Sequence, residues 1–139
     1  MNLYLDIDGV LVIPRPGNGN GPFEMSLKEY VDEFIIWATS EFDCYWLTGW
    51  LPETINSKLL PCLPPEASQI KIASFRDVKT EALSKNGNWI WIDDNLLKNE
   101  RDYLRSINCL RNFILIDPQE PSMRFAKGRI EQVRRELIG

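Results

Sequence analysis

The apolar run Leu3-Tyr4-Leu5 ends at Asp6, and Asp8-Gly9 follows after a single isoleucine. If the run is a strand, residues two apart share a side, so Asp6 and Asp8 leave its tip together, and Gly9 permits the sharp turn that keeps them facing one spot. Such a pair suits phosphoryl transfer: one carboxylate attacks phosphorus while the other moves protons. Taken alone, Asp-x-Asp-Gly equally ends a strand in an ordinary turn. The weight therefore falls on where the other polar residues lie.

Five apolar runs, Asn2–Leu5, Asp43–Leu47, Gln69–Ala73, Asn88–Ile92 and Asn112–Ile116, alternate with five segments of helical character. The alternation predicts βα units, hence an α/β three-layer, Rossmann-like fold around a five-stranded parallel sheet, a single domain over 1–139. In such a sheet the ligand crevice lies beyond the carboxyl ends of the strands. Polar residues fall there four times: Asp6 and Asp8 after the first run, Thr48-Gly49 after the second, Lys79 after the third, Asp93-Asp94 after the fourth. Each has an ordinary reading, as a helix cap or a solvated charge. Together they predict a site in which Asp6, Asp8, Asp93 and Asp94 repel one another until a hard divalent cation, Mg²⁺, joins them. A phosphate dianion approaching Asp6 then meets the Thr48 hydroxyl, backbone N–H groups around Gly49, and Lys79.

Ser26-Leu27-Lys28-Glu29 reads as a capping box ahead of a helix carrying Leu27, Tyr30, Val31, Phe34 and Ala38 on one face. Further helices are expected over Pro52–Leu60, Lys79–Lys85, Leu96–Asn108 and Met123–Leu137, with Gly87 just past the third. Trp89-Ile90-Trp91-Ile92 is apolar on both faces, as suits a covered interior strand. Trp37, Trp46, Trp89 and Trp91 are expected in the core. Trp50 either packs there or stacks on a ring of the substrate. The loop Pro14–Pro22, part of a flap over 13–23, has no apolar periodicity and follows the Asp6/Asp8 turn, where Arg15, like Arg76 elsewhere, is placed to meet a leaving group.

Composition removes whole classes of chemistry. There is no histidine, so Ser-His-Asp and Cys-His triads and histidine-bound zinc are excluded, and acid–base work falls to carboxylates or lysines. Cys44, Cys62 and Cys109 are odd in number and widely spaced, which suits packing better than disulfides or zinc. The net charge of -4 argues against loose binding to nucleic acid. The balance is uneven: residues 1–97 hold 7 basic against 14 acidic side chains, and 98–139 hold 9 against 6. The basic final helix either guides an anionic polymer or is simply a solvated face. No membrane span and no secretory leader is evident, so a cytoplasmic location is expected.

Leu-Tyr-Leu-Asp-Ile-Asp-Gly-Val, Trp-Leu-Thr-Gly, the lone Lys79 and Trp-Ile-Asp-Asp resemble, in order, the four motifs of the haloacid dehalogenase-like hydrolases, over about residues 3–117. The resemblance implies that Asp6 is the nucleophile that becomes an aspartyl-phosphate. It implies that Asp8 is the general acid and base and lends its backbone carbonyl to Mg²⁺, that Thr48 and Lys79 bind the phosphoryl group, and that Asp93 and Asp94 place the metal directly or through water. The tryptophans flanking Thr48 and Asp93 look most like small stand-alone domains of this family associated with RNA-repair proteins, although Pro121-Ser122-Met123 departs from the helix start expected there. Only 39 residues, Gly9–Leu47, separate Asp8 from Thr48, too few for the cap domain many members carry. The resemblance thus implies an open site and a bulky phosphomonoester such as a polynucleotide end or a phosphoprotein. Two other readings stand beside this phosphatase: a catalytically silent domain that binds phosphate groups or a partner, and a receiver-like signalling domain. A calcium loop is excluded, because Asp6-x-Asp8-Gly9 lacks the further acids it needs.

Overall fold

Side chains alternate across each strand, and this sorts the core into two layers. The computed structural model describes residues 1–14 and 25–139. Strands β1 (Asn2–Leu5), β2 (Asp43–Trp46), β3 (Lys71–Ile72), β4 (Trp89–Asp93) and β5 (Phe113–Leu115) form one all-parallel sheet in the order 3-2-1-4-5. Leu3, Leu5, Ile90 and Ile92 share one core layer with Phe34 and Ile35 of α1 (Val31–Glu41) and Ile130 and Val133 of α4 (Met123–Ile138). Tyr4, Trp89 and Trp91 occupy the other, with Leu104 of α3 (Lys98–Ser106), Leu83 and Cys109. The result is the expected α/β, Rossmann-like three-layer fold. Burying each large apolar side chain contributes roughly 1.5–3 kcal/mol, and Trp46, Trp89 and Trp91 are fully enclosed. Trp37 is only partly buried, packed against the core edge.

Three expectations need correction. The capping box at 26–29 does not form: the Ser26 carbonyl accepts the Ile13 N–H, Lys28 N–H donates to Leu11, and Glu29 N–H donates to Pro121. That backbone is spent on clamping the two ends of the loop after β1, so α1 starts later, behind a left-handed Tyr30 (φ 62°) whose ring lies 3.7 Å beneath the Arg124 guanidinium. The helix expected at Lys79–Lys85 is a single 3-10 turn, Lys79–Ala82, because Glu81 takes the N–H groups of Arg76, Asp77 and Val78 and the Ser84 carbonyl is taken by the Trp89 indole. Cys62 is exposed, whereas Cys44 and Cys109 are buried as expected.

The second helical segment begins as α2 (Pro52–Thr54) and widens into a π turn over Ile55–Leu59. Leu60 N–H there reaches back to Ile55, just ahead of Pro61, which has no N–H to continue a ladder. Gly87 takes a positive φ of 72°, as a chain reversal before β4 requires. The Pro14–Pro22 loop beyond its first residue, and Arg15 with it, lies outside the described residues. Among those described, no helix is long and apolar enough to cross a membrane.

Candidate active site

Strand order places the site. Order 3-2-1-4-5 sends the connections from β1 and from β4 to opposite sides, so their carboxyl ends border the crevice where ligands of such sheets bind. Asp6 emerges there with its N–H on the Ile92 carbonyl (3.2 Å), and its Oδ1 accepts the N–H of Ile7 (2.8 Å). The chain then turns tightly, with the N–H groups of Val10, Leu11 and Val12 all directed at the Ile7 carbonyl. Gly9 at the apex has φ +78°, and a Cβ there would overlap the Asp94 carboxylate. Gly9→Ala therefore incurs both backbone strain and a clash with a site residue; we expect a loss of about 1–3 kcal/mol in chemical denaturation. Unchanged stability would show that Asp94 does not press on the turn.

Carboxylate oxygens of Asp6, Asp93 and Asp94 lie within 4.8 Å of one another, a spacing one hard cation can bridge. The ammonium of Lys79 is 3.2 Å from Asp6 Oδ2 and 2.7 Å from Asp93 Oδ2, and Asp93 Oδ1 accepts the Asn95 N–H. Burial works against the Lys79 charge, but Asp6 and Asp93 outweigh it and hold the ammonium above its usual pKa. Burial pushes the Asp93 carboxyl up to about 8, the Asp6 charge adds to the rise, and Lys79 opposes it. Without a cation the pocket thus resists a charge on Asp93, which, among the described residues, only the Lys79 charge offsets. Because the folded-state value lies above the unfolded one, this group's stabilising contribution is complete below the ordinary carboxylate range and is lost as pH rises through about 8. In a chelator, Asp93→Asn should therefore gain in melting temperature over the native chain as pH rises from the ordinary carboxylate range to about 8, and the gain should level off above that. A pH-independent difference would contradict the assignment.

Thr48 and Lys79 come to the same rim from different strands. Leu47 N–H donates to the Leu5 carbonyl, which holds the end of β2 beside that of β1. The buried Thr48 hydroxyl accepts the Trp50 backbone N–H at 3.2 Å, so its own proton remains available to another acceptor. A Cβ at Gly49 would meet nothing within 4 Å, so packing imposes no glycine there. Trp50 is half-buried against the main core, and its indole N–H donates to Asp8 Oδ2 at 2.9 Å. The Asp8 carboxylate, exposed, is thus directed to Trp50 and stands outside the cluster of Asp6, Asp93 and Asp94.

A cleft of about 280 Å³ opens at the cluster, lined by Asp6, Lys79, Asp93, Asp94, Phe75 and Glu100 among others. Arg76 is exposed, its N–H held by Glu81. One residue escaped the sequence reading. Lys28 is buried, and its ammonium donates to the carbonyls of Gly9 (2.8 Å) and Asp117 (3.1 Å), tying the β1 turn to the end of β5. Burial lowers its pKa, against the raising effect of Glu120, Asp117 and Asp94. Its sequence neighbourhood carries no signal of this, since it reads as the polar side of a helix start.

Comparison with protein-family models, curated proteins and solved structures finds no match to this chain.

Proposed function

We propose that the chain is a Mg²⁺-dependent phosphomonoester hydrolase of the haloacid dehalogenase-like type, working through an aspartyl-phosphate on Asp6. The observation that carries this reading is the convergence of Asp6, Asp93 and Asp94 on one point beside Lys79. All-oxygen ligands suit Mg²⁺, which when bound would offset the negative charge that otherwise keeps a phosphate dianion away from a carboxylate. Lys79 and the Thr48 hydroxyl bind non-bridging oxygens. A carboxylate oxygen of Asp6 then forms a bond to phosphorus as the bond to the leaving oxygen breaks, and that oxygen takes its proton from Asp8. In the second step Asp8 takes a proton from water, the water oxygen bonds to phosphorus, and the bond to Asp6 breaks, releasing phosphate and restoring Asp6.

The receiver alternative is disfavoured by strand order, since receivers follow 2-1-3-4-5 and this sheet runs 3-2-1-4-5. Of the two bulky substrate classes, the cleft favours a phosphoprotein over a polynucleotide end. Asp77 and Glu100 join the cluster acids in its lining, with Lys79 the one basic group among the lining residues described, so a second substrate phosphate would be repelled. The test is phosphate release from an aryl phosphate, then from phosphopeptides and phosphorylated oligonucleotides side by side. Turnover that requires Mg²⁺ and stops in a chelator supports the proposal. Binding of phosphate and Mg²⁺ without turnover would support the silent domain instead.

A further inference from the structure

Resting on that reading, we propose that Trp50 is a positioning residue that holds Asp8 for its proton transfers, rather than a platform on which substrate rings stack. Asp8 lies beyond the end of β1, on the turn after Asp6, and its side chain is exposed, so burial does not hold its carboxylate in place. The indole N–H of Trp50 does, at 2.9 Å from Oδ2, from a residue 42 positions away. The ring is anchored in turn by its packing against the main core layer. Indole N–H donates and cannot accept, so Trp50 orients the carboxyl without entering the proton transfer. With Oδ2 occupied as an acceptor, the transferable proton of the neutral acid resides on Oδ1, and Oδ1 is the atom that serves the leaving oxygen and later the water.

The same short turn also sets the phosphate ligand. Trp50 N–H holds Thr48 Oγ1 at 3.2 Å, so one segment fixes both the hydroxyl that meets the phosphoryl oxygens and the ring that aims the acid. Misplacing a general acid by a fraction of an ångström is costly only where the leaving oxygen needs a proton. That dependence separates positioning from stacking.

The experiment compares Trp50→Phe with the native chain on two esters of similar size, an aryl phosphate with a strongly acidic phenol and an alkyl phosphate. The ratio kcat/KM reports the steps through phosphorylation of Asp6. We expect the alkyl ester to lose at least about tenfold and the aryl ester less than about threefold, within the roughly 10²–10⁴-fold that a general acid supplies. Mg²⁺ affinity should be unchanged, and Trp50→Phe should have no further effect in an Asp8→Asn background. Equal losses on both esters, or a loss confined to KM for aromatic esters, would overturn the positioning role while leaving the phosphatase reading intact. A native chain that turns over neither ester would overturn the phosphatase reading itself, and this role with it. A second measurement needs no change at Trp50: in a nitrogen–proton spectrum, Asp8→Asn should shift one of the five indole signals, and five unmoved signals would contradict the hydrogen bond.

Discussion

Asp6→Asn is expected to abolish phosphate release, by on the order of 10⁴–10⁶-fold, while the protein folds and still presents its other site residues. The amide has the size of the carboxylate but cannot form the acyl-phosphate, and two of the nearby carboxylates are already engaged. Asp93 is spent on Lys79 and the Asn95 N–H, and Asp8 on Trp50. Stability separates loss of chemistry from loss of fold. In a chelator, removing one of two buried carboxyls that face each other relieves repulsion, and Lys79 keeps Asp93 at 2.7 Å. The melting temperature of Asp6→Asn should therefore equal or exceed that of the native chain. Retained turnover in this variant would refute the assigned nucleophile.

Lys79→Met should have the next largest effect, and it acts twice. Loss of one preorganised cationic ligand to the transferring phosphoryl group costs about 10²–10³-fold in kcat. It also leaves Asp6 and Asp93 unneutralised at buried positions, where breaking a buried pair is expensive. With the Lys79 side chain 20% exposed, some of that cost is relieved by water, and we expect a loss of about 2–3 kcal/mol in metal-free protein. Added Mg²⁺, or a second change Asp93→Asn, should restore most of the stability without restoring activity. If Lys79→Met is as stable as the native chain in chelator, the three-group cluster is not what holds this corner together.

Much of this could be read directly from residue order. The pattern Trp89-Ile90-Trp91-Ile92 alternates between the two core layers, so its assignment to an interior strand followed from local chemistry alone. The acids, threonine and lysine were legible because a parallel sheet presents all strand ends on one rim. What stayed hidden depends on contacts distant in sequence. Ser26–Glu29 has the form of a helix start, but its backbone groups are claimed by Leu11, Ile13 and Pro121. Lys28 reads as a surface lysine until β5 brings the Asp117 carbonyl within reach. The Trp50 indole is apolar enough to suggest packing, and its bond to Asp8 exists only once β2 lies beside β1.

Trapping the protein during turnover would show whether Asp6 carries the phosphoryl group. Protein quenched in acid with a phosphomonoester and Mg²⁺, then reduced with borohydride, should carry homoserine in place of aspartate at position 6 alone, seen by peptide mass spectrometry and absent from Asp6→Asn. Reduction at another carboxylate, or steady turnover with no trapped acyl-phosphate at any residue, would contradict the account.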